Sequence, residues 1–150
     1  MNAPSPTPAR PAHLGWRLFA LVYDFFPALA LWFAVGGLLL LVRGGVPVAP
    51  GTPASWLELF LLWAVTGAYA LLSWRRGGQT LGMRPWRLKV TAADGQRAGL
   101  GALALRYAVA TLSLAAFGLG FWWSLFERER RTWHDLASGT VLVRLMPAPP

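Results

Sequence analysis

Hydrophobic positions along this chain gather into three long runs, and each run is broken by one ionisable side chain. Residues 18–42 hold only Asp24, residues 55–74 only Glu58, and residues 98–126 only Arg106. About 20 apolar residues rising roughly 1.5 Å each cross a bilayer core of roughly 30 Å. A charge near the middle of such a helix costs about 2.5–3.5 kcal/mol on insertion scales, so each is expected to face protein or water and to have a partner. The pattern predicts an all-α polytopic membrane protein embedded in a lipid bilayer.

The third run is the difficult one. Arg10, Arg17, Arg75, Arg76, Arg84, Arg87, Lys89 and Arg97 flank the first two runs on one side, and Arg43 stands alone on the other. Positive charge favours the cytoplasm, which puts residues 43–54 outside a cell's inner (cytoplasmic) membrane. A single crossing by residues 98–126 would carry Arg128, Arg130, Arg131 and Arg144 outside as well. Folding the run back at Gly118-x-Gly120 keeps them inside, so the expectation is two transmembrane helices plus a helical hairpin of short arms. Both termini are then cytoplasmic. A hairpin of this kind is tolerated where neighbouring helices shield its turn.

Two short segments outside the runs alternate polar and apolar residues. They are residues 86–91 (WRLKVT), followed by an Asp94-Gly95 turn signal, and residues 140–145 (TVLVRL). A lone strand leaves its backbone edges unpaired. The hairpin puts both segments on one side, where they can form a small cytoplasmic two-stranded β-ribbon. The organisation expected is a disordered Pro-rich tail over residues 1–12, one membrane domain over 13–146, and a Pro-rich tail over 147–150.

Composition narrows the function classes. The chain is 55% hydrophobic and 13% charged, whereas soluble domains are roughly a quarter charged. With no cysteine and only His13 and His134, thiolate chemistry is excluded, and neither a metal nor a cofactor is expected. The +8 net charge lies in short segments beside apolar runs, which marks topology and lipid contact rather than nucleic-acid binding. The first run is longer than the roughly 7–15 residues of a signal-peptide core and contains an acid, so a retained helix is expected. No nucleotide-binding, hydrolase or metalloprotease motif occurs, and no enzymatic activity is expected.

Asp24 follows Arg17 by seven residues, which brings it back to nearly the same helical face about 10 Å deeper. Arg17 is placed to extend its head into the interface. Pro27 removes the backbone hydrogen bond to the Tyr23 carbonyl. Asp24 therefore has two readings: a proton or hard-cation site beside a free carbonyl, or a structural charge with a basic partner. Arg106, about 12 Å into the third run, matches it in depth and is the expected partner. Glu58 lies near the outer end of its run and is expected at the interface. Asp135, in WHDLASG, suits a helix cap or turn, a pair with Arg75 or Arg76, or a gate or ligand role; Asp24, Arg106, Arg17 and Asp135 are the candidate ion- or ligand-binding residues.

Arg17 and Asp24 in GWRLFALVYD, Asp135 in WHDLASGTVLV, the central GQTLGMRPWRLKVTAADG and the helix carrying Arg106 together resemble the RDD family of small integral membrane proteins. That family is named for one arginine and two aspartates. The resemblance covers about residues 13–145, with Met83 where many relatives carry lysine and with Pro85-Trp86 interrupting the linker. It implies that Arg17, Asp24 and Asp135 are the defining residues. It also implies transport of a small ligand, or exchange of a small cation for protons. A chain this short encloses little volume, so a homo-oligomer or a membrane-protein partner is expected. The competing reading is a non-transporting accessory protein whose buried charges hold the fold together.

Overall fold

The computed structural model describes residues 9–146; the expected tail over 147–150 and residues 1–8 of the N-terminal tail lie outside them. The first helix, α1 (Leu14–Val42), is 29 residues long and carries Pro27 inside it. A turn through Gly44 and Gly45, both at positive φ, leads to α2 (Pro53–Gly77). Thr52 caps α2 by accepting a hydrogen bond from the Ser55 amide at 3.3 Å, Pro53 opens its first turn, and Gly78 closes it at φ 72°. Both helices are long and apolar enough to span a membrane. Arg43 and Glu58 pair at 3.1 Å across their connection, where Glu58 was expected to reach the interface.

The third apolar run is a sharply bent helix pair. It forms α3 (Leu100–Ala115) and, after Phe117 and Gly118 at positive φ, the short α4 (Leu119–Trp122) with one 3₁₀ turn at Trp123–Leu125. The two parts meet at a bend of 107°. At about 24 Å, α3 is shorter than a bilayer core, and the part after the bend is shorter still than the hairpin arm the sequence suggested. Against Ser113, Gly120 packs so closely that an added Cβ would lie 2.9 Å from the serine Cβ, which lets the bend close.

Wherever aromatic and hydroxyl side chains meet, the spans are tied together. Trp32 donates to Thr66 at 2.8 Å, Trp63 to Thr111 at 3.1 Å, and the Tyr107 hydroxyl to the Trp63 carbonyl at 2.8 Å. Apolar contact between helices gains little over contact with lipid tails, so such polar links and close approaches hold the helices together. Gly67 supplies the close approach: an added Cβ would sit 2.7 Å from the Tyr107 ring. Outward-facing residues such as Phe33, Leu41 and Val42 are left exposed, as lipid-facing side chains are.

At the other end of the spans lies a three-stranded antiparallel sheet in the order β1 (Ala9–Pro11), β3 (Thr140–Leu145), β2 (Leu88–Ala92). The expected ribbon is present, with Val90 opposite Leu142. The third strand is a correction, because Ala9–Pro11 fall in the stretch expected to be a disordered tail. A proline fits there since β1 is a short edge strand. The following Ala12 donates its amide to the Leu142 carbonyl at 3.0 Å and is fully buried. Leu88, Val90 and Leu142 form a core with Ala20, Met83 and Leu103, bordered by Trp16, Trp74 and Trp86. In place of a more regular linker, Trp86 stacks on Phe19 at 5.2 Å and anchors the segment to α1. Arg144 on β3 lies 4.1 Å over the Trp16 ring, tying the sheet to the same helix.

Candidate functional site

A short helix, α5 (Trp133–Ser138), carries Asp135 into the space between the start of α1 and the start of α3. Thr132 caps α5, and Asp135 returns the favour in a capping box, its Oδ2 accepting from the Thr132 amide at 3.1 Å. Seated there, the carboxylate meets two guanidiniums. Arg17 Nη1 approaches Oδ2 at 2.7 Å, and Arg106 Nη1 binds Oδ1. All three side chains are buried.

The two arginines are provisioned differently. Arg17 uses its whole fork: Nε donates to the Ala12 carbonyl at 3.1 Å, Nη1 to Asp135 and to Thr132 Oγ1 at 3.5 Å, and Nη2 to the Arg130 carbonyl at 3.1 Å. Among the described residues Arg106 donates from Nη1 alone, to Asp135 and to Thr140 Oγ1 at 2.7 Å. Burial opposes the charge on Asp135, but Arg106 and then Arg17 overcome it and hold its pKa well below the usual carboxylate range. Burial, followed by the charge of Arg106, pushes the neighbouring His134 imidazole down to about 3. His134 is therefore neutral near neutral pH.

Asp24 stands apart from this cluster. Its Oδ1 accepts from the Tyr69 hydroxyl of α2 at 2.8 Å and from the Gly82 amide at 2.9 Å, and its Oδ2 accepts from Thr80. The linker can reach α1 this closely because residue 82 is glycine: a Cβ there would fall 2.6 Å from the Asp24 amide nitrogen. Tyr69 in turn accepts from the Leu81 amide at 2.9 Å. No cation contacts Asp24 among the described residues.

Above the cluster, α1 and α3 each pack on α2 but scarcely on one another. The cleft between them, about 790 Å³, has Arg17, Asp24, Arg106 and His134 among its polar lining residues and walls such as Phe25, Leu62 and Leu114.

The RDD family profile matches residues 11–139. This chain belongs to the RDD family. None of the curated proteins and none of the solved structures compared with it matches. In this RDD protein Arg17 and Asp135 meet directly, and Arg106 completes the group.

That outcome corrects the expected ion pair. Asp24 and Arg106 were matched by depth, but Asp24 points to α2 and the linker, whereas Arg106 points to α5. Arg17 does not extend into the interface; its head is buried under the β1 connection and α5. Asp135 does cap its helix as expected, yet its ionic partners are Arg17 and Arg106, not Arg75 or Arg76. The sequence reading missed Tyr69, Thr80 and Gly82 around Asp24 and Thr132 and Thr140 around the cluster. Two signals pointed to the Asp24 partners: a lone tyrosine in the second apolar run, and a Thr80-x-Gly82 one residue after the glycines that close α2.

Proposed function

We propose that this RDD protein is a non-enzymatic carrier of the inner membrane that exchanges a small cation for protons at Asp24. The observation that carries this reading is the setting of Asp24, an intramembrane carboxylate balanced by neutral donors. A carboxylate locked to a guanidinium has little use for a proton or metal ion, whereas one held by hydroxyls can release them. Asp24, Tyr69 and Thr80 bring four oxygen atoms together, the ligand type that hard cations take. Rotation of either hydroxyl turns a donor into a lone pair.

The Arg17–Asp135–Arg106 cluster serves as the fixed frame in this scheme. The same cluster is the specific observation behind a second reading, a non-transporting accessory protein, since its members are spent on holding α1, α3 and α5 together. Flux in proteoliposomes containing only this protein separates the two. Wild type drives sodium-dependent proton movement, and Asp24→Asn abolishes it while still inserting, because the change removes a charge from an apolar span. Absence of cation-dependent proton flux at every pH, or its survival in Asp24→Asn, leaves the accessory reading.

The orientation proposed has both termini in the cytoplasm. The basic residues gathered at the sheet end support it, as does the pairing of β1 with β3, which brings the two ends of the chain to one side of the spans. A C-terminal reporter that is active only outside the cytoplasm is expected to stay silent; strong activity would reverse the orientation. Two or more copies enclosing a shared path is the assembly proposed, given how little volume one chain surrounds.

A further inference from the structure

Counting charge along the floor of the cleft leaves an imbalance. Arg17 and Arg106 share the single carboxylate of Asp135, so the buried group is positive by one. Arg17 spends every nitrogen of its fork, and Arg106 does not. Beside Arg106 lies Trp74, its ring 5.6 Å from the guanidinium carbon, and the Trp74 indole N–H has no acceptor among the described residues. His134, 4% exposed, also lines the floor with Nδ1 unpartnered. A buried donor without an acceptor is unfavourable, and more so when charged. Three neighbouring polar side chains on one floor therefore have hydrogen-bonding capacity that the protein leaves unused.

The walls above them are almost wholly apolar, through Phe25, Phe26, Leu62, Ala110 and Leu114. A volume of about 790 Å³ lies within the range of roughly 300–1,000 Å³ that suits one small ligand. α1 and α3 scarcely touch, so no helix packing closes the cleft between them. Alkyl chains gain little by leaving lipid for such walls, so selection falls to the floor.

We propose that the cleft binds a single-chain anionic amphiphile from the bilayer, its oxyacid head on the unused donors of Arg106 and Trp74 and its alkyl chain along the walls. The proposal needs the cleft as a ligand space but not exchange at Asp24. The carboxylate of Asp24 opposes an anion in the same cleft, so its removal favours the amphiphile while ending any exchange. The two ideas thus fail separately.

The test uses the full chain in nanodiscs of zwitterionic lipid, titrated with a brominated long-chain fatty acid that quenches nearby tryptophan. Saturable quenching is expected, about tenfold weaker for the brominated alcohol of the same chain, the equivalent of one charge-assisted hydrogen bond. A brominated alkyltrimethylammonium is expected to give none. Ala110→Phe, which fills the wall without touching the charged cluster, should abolish the saturable phase with the thermal midpoint kept, and Asp24→Asn should tighten binding severalfold. Equal binding of alcohol and acid would reduce the cleft to a nonspecific lipid groove and overturn the proposal. So would purely linear quenching, the result expected if a second copy of the chain fills the cleft.

Discussion

Asp135→Asn is expected to destabilise the protein by about 3–5 kcal/mol, because it strands two buried guanidiniums against each other with no carboxylate between them. The loss should appear as a large drop in thermal midpoint in detergent. The pairing is tested by a double-mutant cycle with Arg106→Gln: the double variant should cost clearly less than the sum of the singles, since it leaves one stranded guanidinium, Arg17, in place of two that repel each other. Additive losses, or a single variant as stable as wild type, would show that the contact contributes nothing. The pH dependence follows with a definite sign. The depressed Asp135 pKa means its stabilisation is present above the ordinary carboxylate range and is lost as pH falls through the folded value. His134 acts in the same direction: below about 6.5 the unfolded chain takes a proton that the folded site refuses until about 3. Acid therefore weakens the wild type on both counts, and Asp135→Asn removes only the first.

Gly82→Ala is the second large effect, expected at roughly 2–4 kcal/mol from overpacking plus weakened hydrogen bonds to a charged group. The added Cβ meets the backbone of α1 at Asp24, and no rotamer relieves a backbone clash. The linker must lift, and the bonds from Thr80 and Gly82 to Asp24 lengthen together. Amide exchange over residues 80–83 should quicken well beyond any change at the sheet. If Gly82→Ala melts like wild type and keeps those amides protected, the linker does not seat on α1 as described.

Much of the architecture was legible because it depends on properties that act along the chain. The lengths of the runs predicted two spans, the Gly118 region predicted the break in the third run, and alternation predicted the pairing of β2 with β3. Partner choice was harder. Depth placed Asp24 and Arg106 at one level, but depth says nothing about rotation about the helix axis, and rotation sends one toward α2 and the other toward α5. Arg17 was expected to extend outward since its neighbours in sequence are interfacial; the lid that buries it comes from residues more than a hundred positions later. β1 escaped notice because three residues ending in proline carry too little pattern to distinguish a strand from a tail.

The order of strands in the sheet has a bearing on how the chain is made. β3, the central strand, leaves the ribosome after both of its neighbours, so neither β1 nor β2 has its partner until β3 emerges. Through the same interval Arg17 waits at the head of an already inserted helix without its carboxylate, and the open strand edges invite pairing with other chains. The final stretch from Thr132 to Leu145 closes both gaps at once. A chain stopped short of it keeps its spans but lacks the element that ties β1 and Arg17 to the rest of the fold.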